Sequence, residues 1–198
     1  MEIIDYLKNN LLENLGIVTT LICVWLNTKQ NIWGWLWAII ASVIYGIVYF
    51  NAKLYSDMEL QIVFIFISIY GWWKWVYGGP ERSKLEVTNT PQKYYAYLVV
   101  ILFLFACISG YLHQKYTDAS YPFLDSTLTA TSLIAQWLMA RKYIENWILW
   151  GLVNIGYIFL YFSKDLFGTS ILYTILLVLA AKGYYEWVDF KKEKTAAV

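Results

Sequence analysis

The chain has 198 residues, 60% of them hydrophobic and 20% aromatic against 15% charged, with a mean hydropathy of +0.48. A water-soluble domain of this size carries far more charge, so the chain reads as an integral membrane protein. A formal net charge of +1, with no basic groove and no nucleic-acid-binding module, excludes nucleic acid as the expected partner.

The chain opens on Glu2, Asp5, Lys8 and Glu13, an acidic lead with no small-residue cleavage site behind it, so the N-terminus is expected to be retained. Apolar runs follow at about 14–28, 32–50, 58–77, 94–112, 123–140, 145–163 and 167–187, which predicts seven transmembrane helices in a single transporter domain over 1–198. The first and fifth are near the short end of what a span needs. Pro80, Pro91 and Pro122 all fall between runs, where a missing N–H disturbs no helix. Cys23 and Cys107 each stand inside an apolar run and are expected to be buried small side chains without a disulfide partner. His113 is read as an outer-loop surface residue, and Asp125 as a helix N-terminal residue favoured by the macrodipole.

Basic residues set the expected orientation. With seven spans, Lys8, Lys53, Lys115 and Lys164 share the N-terminal side, and the other eleven Lys and Arg residues lie opposite. The N-terminus is therefore expected outside and the C-terminus in the cytoplasm. Lys74 and Lys182 fall near inner helix ends, where their stems can snorkel to the interface.

Self-comparison reveals an internal repeat. Residues 13–75 align without a gap on residues 125–187 at a constant offset of 112, with 14 identities in 63 positions. Trp25 meets Trp137, Trp35 meets Trp147, Tyr45 meets Tyr157, Leu54 meets Leu166, Gly71 meets Gly183 and Trp75 meets Trp187. Two three-helix halves flank the fourth span, 94–112, and that extra helix makes the halves face the same way. The expected architecture is all-α, 3+1+3, with parallel repeats and a solute site between them near the midplane.

The candidate site centres on residues 145–154. On a helix turning 100° per residue, Trp147, Trp150, Asn154, Tyr157 and Tyr161 fall within about 80° of arc. An amide and the largest π-faces gathered on one side suit a pathway for an aromatic or cationic solute, and the same stripe would equally serve as an aromatic packing face. Asn154 offers both donor and acceptor. Trp35, at the repeat position of Trp147, reads as a packing residue because its stripe continues as Ala38 and Ser42. The fifth run places Thr129, Ser132 and Gln136 together, and the third places Gln61, Ser68 and Trp72 within about 40°. Gln136 and Gln61 are the next candidate contacts, with helix–helix bonding as the alternative for both. The hydroxyls are expected to bond their own helices. Glu59, one turn inside the outer end of the third run, is either a vestibule carboxylate that meets a cation or a solvated interfacial group.

Several segments resemble a known family. They are Leu54-Tyr55 with Gln61, Tyr70-Gly71-Trp72-Trp73-Lys74-Trp75, Pro122-Phe123-Leu124-Asp125-Ser126, Arg141 through Trp147, and the run Trp147-x-x-Trp150-x-x-x-Asn154. Over nearly the whole chain these resemble the bacterial nicotinamide riboside transporters, the Pnu vitamin transporters, and the 3+1+3 pattern resembles the SWEET-like arrangement. The resemblance implies import of nicotinamide riboside across the inner membrane by facilitated diffusion, with trapping by a cytoplasmic kinase. It also implies a homotrimer embedded in lipid. Thiamine, another cationic aromatic, is the alternative substrate, and a proton-coupled carrier using Glu59 the alternative mechanism. One His, two dispersed Cys and no phosphate loop or nucleophile elbow point away from an enzyme, a cofactor or a metal.

Overall fold

The computed structural model describes residues 11–51, 55–117, 121–163 and 167–196. The side chains of Glu59 and Lys194 lie outside the described residues, as do Lys8, Lys53, Lys164 and the Leu54–Leu166 pair. The described residues form seven α-helices: α1 (Leu11–Thr28), α2 (Trp33–Asn51), α3 (Tyr55–Tyr77), α4 (Gln92–Tyr116), α5 (Pro122–Ala140), α6 (Asn146–Phe162) and α7 (Phe167–Ala196). A short 3-10 turn at Pro80–Arg82 follows α3. The seven runs read from hydropathy each coincide with one helix. Pro122 begins α5 and Pro91 precedes α4, positions where no helical N–H is lost.

Five helices are long and apolar enough to cross a membrane, and α6 is apolar over 17 residues. α5 owes its lower hydropathy to Ser126, Thr131, Ser132 and Gln136, all of which are buried. It is enclosed by its neighbours and needs little lipid-facing surface. α4 is the opposite case: only Ala106 and Gly110 are buried, while Tyr97, Val99 and Phe103 are each two-thirds exposed. In water that surface would cost about 25 cal/mol per Å², whereas lipid tails accept it freely. Two expectations are corrected here. Cys107 stands on this exposed face instead of being buried. His113 lies in the last turn of α4 and not in a loop, its Nδ1 2.8 Å from the Ser109 carbonyl oxygen, because the helix outlasts the apolar run by a turn.

The chain divides into two compact units, 1–85 and 86–198. In the first, α1 packs on α2 and α2 on α3; in the second, α4 packs on α5, α5 on α6 and α6 on α7. The units share local detail 112 residues apart. α1 ends in a Schellman motif, in which Gln30 N–H donates to the Asn27 carbonyl and Asn31 N–H to that of Leu26. α5 ends identically, Lys142 N–H donating to Met139 and Tyr143 N–H to Leu138. The left-handed residue is Gln30 (φ 52°) in one and Lys142 (φ 53°) in the other, where glycine is usual.

Beyond each turn, a tryptophan is clamped the same way. Trp35 is fully buried, edge-on to Trp75 at 5.3 Å and 88°; Trp147 is edge-on to Trp187 at 5.5 Å and 90°. A Cβ at Gly71 would lie 2.5 Å from the Trp35 ring, and one at Gly183 would lie 2.6 Å from Trp147. Each indole rests directly on the backbone of the last helix in its unit. Gly183→Ala and Gly71→Ala should therefore each destabilise the protein by about 1–3 kcal/mol through overpacking. Gly151→Ala, whose Cβ would meet nothing nearer than 3.8 Å, should leave the melting temperature of detergent-purified protein unchanged.

Candidate functional site

The second unit holds five of the predicted site residues. Trp147 is 2% exposed and committed to Trp187 and Gly183. Its role in the structure is the packing role of Trp35. One turn on, Trp150 is only partly buried as a residue, yet its Nε1 is buried with no acceptor among the described residues. Asn154, one further turn along the same face, is 4% exposed. The Nε1 atoms of the packed Trp147 and Trp35 likewise have no acceptor among the described residues, so it is the partial exposure of Trp150 that sets it apart from them. Trp150 and Asn154 thus form a donor-rich patch on α6, backed by Trp147.

Gln136 is buried on α5, which approaches α6 closely because Gly156 lies under Leu128; a Cβ there would be 2.4 Å from the Leu128 side chain. The neighbouring hydroxyls are spent locally, Thr131 donating to the Thr127 carbonyl and Ser132 to that of Leu128. Toward the end of α6, Tyr157 stacks on Tyr161 at 5.9 Å, and Tyr173 of α7 meets them at 4.8 and 5.4 Å. Tyr173 was not singled out from sequence. The repeat offers the missed signal, since Tyr173 stands 112 residues after Gln61 and Tyr45 stacks on Tyr49 at the matching 5.9 Å.

In the first unit, Gln61 is half-buried on α3 and Trp72 meets Trp33 edge-on at 6.1 Å. Eleven residues of helix separate Gln61 from Trp72 by about 16 Å, so a single aromatic ring cannot touch both. Among the described residues no cluster of three or more His, Cys, Asp or Glu is placed to hold a metal ion.

The start of α6 carries the densest polar network, which sequence reading missed. Glu145 accepts from Asn89 Nδ2 at 2.7 Å, from the Thr90 N–H at 2.8 Å and from the Thr90 hydroxyl at 2.7 Å. Lys191 of α7 donates to the other side of Asn89. Partial burial pushes the Glu145 carboxyl upward, but the Asn89 and Thr90 donors outweigh it and hold the group below its ordinary value. Beside it lies a cavity of about 570 Å³ lined by Glu145, Ile148, Tyr184, Val188, Lys191 and neighbours, none of them a predicted site residue. A depressed carboxylate stabilises the fold above its unfolded pKa and loses that contribution as pH falls through the folded value. Melting curves should therefore show wild type and Glu145→Gln differing by a constant amount from pH 8 to 5, with the gap closing below about pH 4.

A protein-family model described as "Nicotinamide mononucleotide transporter" matches residues 10–189. The chain is 24% identical to the nicotinamide riboside transporter PnuC of Escherichia coli K12, over 92% of this chain and 87% of that one. It is 27% identical to the PnuC of Neisseria mucosa, over 91% and 73%. It is 22% identical to the riboflavin/roseoflavin transporter RibM of Streptomyces davaonensis, over 88% and 83%. A crystal structure of the vitamin B3 transporter PnuC superposes with a TM-score of 0.75 at 22% identity, covering 96% of this chain and 86% of that one, and so shares its fold. With seven predominantly apolar helices and a family match over nearly its whole length, the chain is a multi-pass membrane protein and belongs to the nicotinamide mononucleotide transporter family, whose relatives here are named as transporters and not as enzymes.

Proposed function

We propose that the protein imports nicotinamide riboside by facilitated diffusion, and that a cytoplasmic kinase traps the solute by phosphorylating it. The observation that carries this reading is the α6 patch, where the partly exposed Trp150 indole and the buried Asn154 amide share one face. The pyridinium ring is a fixed cation, and an indole face excluded from water contributes roughly 0.5–2 kcal/mol to holding it. Asn154 pairs with the carboxamide or a ribose hydroxyl, with Gln136 and Tyr157 as further contacts in the same unit; in the first unit Gln61, Trp72 and Glu59 are separate candidate contacts, Gln61 and Trp72 being too far apart to share one ring. Trp147 lies behind the patch and stiffens it. The names of the relatives from Escherichia coli and Neisseria mucosa support the substrate.

The mechanism proposed is rocking of two parallel three-helix repeats, 13–75 and 125–187, about the helix at 94–112 in the SWEET-like manner. The Schellman turns and Trp-on-Gly contacts recurring at the 112-residue offset support the repeat. The protein is placed in the inner membrane as a homotrimer, N-terminus outside and C-terminus in the cytoplasm, on the basic-residue count and the family resemblance. A second reading, carriage of a neutral flavin, is favoured by the relative named for riboflavin; thiamine remains the other flat cation to test.

Titrating purified protein with nicotinamide riboside, riboflavin and thiamine while following fluorescence of its 11 Trp separates these readings. Saturable quenching by the riboside alone is expected, weakened at least tenfold by Trp150→Ala, or about 1.4 kcal/mol. Trp147→Ala should lower the melting temperature instead. Quenching by riboflavin or thiamine alone would replace the substrate. In vesicles, uphill uptake driven by an imposed pH gradient would overturn the uniport mechanism.

A further inference from the structure

The chain enters the second unit through residues 86–91, and this strap is bound to the start of the patch-bearing helix. Thr88 N–H donates to the Lys142 carbonyl at 3.1 Å, and Ile144 N–H returns a bond to the Thr88 carbonyl at 3.0 Å. This parallel bridge between Thr88 and Tyr143 lies immediately ahead of Glu145, whose carboxylate takes the three bonds from Asn89 and Thr90. Lys191 draws in the end of α7 through Asn89. The corresponding position in the first unit, 112 residues earlier, is Trp33, which has no carboxylate and instead packs on Trp72. The turn is common to both units, but only the second has a charged group that grips a strap. Thr90 is 5% exposed, so its N–H and hydroxyl have little access to water and depend on Glu145.

We propose that Glu145 is a positioning residue for transport: it locks strap 86–91 to the N-terminus of α6, so that the incoming chain and the Trp150–Asn154 patch move as one body. Charge-assisted bonds are roughly twice as strong as neutral ones, so Glu145→Gln weakens the lock while preserving its shape. Residues 86–91 are the covalent lead from the first unit, and a slack strap lets that unit rock without carrying the patch with it. The proposal rests on the carrier reading above and predicts that the lock governs turnover, not affinity.

The test uses full-length protein, reconstituted for initial uptake of nicotinamide riboside and in detergent for its equilibrium binding. Glu145→Gln and Thr90→Val should each lower the saturating uptake rate about fivefold or more, with dissociation constants within twofold of wild type. Their combination should be no slower than the worse single variant, and Thr90→Ser, which keeps the hydroxyl, should restore the rate. Hydrogen exchange gives a readout that needs no substrate: Glu145→Gln should speed exchange at Thr88, Thr90 and Ile144 together. Unchanged uptake in Glu145→Gln, or rate and affinity falling in parallel, overturns the lock, as does faster exchange confined to Thr90. If wild type neither binds nor transports the riboside, the substrate reading fails, and the exchange experiment still decides the lock.

Discussion

The contact on which each unit depends is an indole packed closely against a glycine. In lipid the hydrophobic effect does not drive helices together, so association rests on close packing and on small residues that let backbones approach. Gly71 beneath Trp35 and Gly183 beneath Trp147 provide that approach, and the partner tryptophans Trp75 and Trp187 close the edge of each clamp. The middle helix of each three-helix set is thereby fixed against the last one. The polar patch of α6 inherits its rigidity from this clamp, since Trp150 and Asn154 lie one and two turns beyond Trp147.

Around this shared frame the two units diverge in chemistry. At the position of Ala38 in the first unit the second has Trp150, and at that of Ser42 it has Asn154. Where Trp33 packs on Trp72, the second unit has Glu145 holding a strap. Where Gln61 follows the Tyr45–Tyr49 stack, Tyr173 joins Tyr157 and Tyr161.

Hydropathy made the seven helices legible because lipid demands continuous apolar runs and tolerates no exposed backbone. Even so, α5, one of the two runs near the short end, proved the most enclosed of the described helices, because a span buried among other spans can spend residues such as Ser126 and Gln136 on polarity. His113 and Cys107 were misread because an apolar run records neither where a helix stops nor which side of it faces lipid.

The chain's sequence by itself determined the membrane class, the positions of the seven described helices and the α6 stripe, since each follows from local periodicity and side-chain chemistry. Tertiary structure alone divided the stripe into a fully packed tryptophan and a partly exposed one, because that depends on Gly183 and Trp187, some forty residues away along the chain. It also decided the grip of Glu145 on Asn89 and Thr90, across 55 and 56 residues of chain. No periodicity within α6 encodes a hydrogen bond to a strap that precedes two other helices, and only folding brings donor and acceptor together.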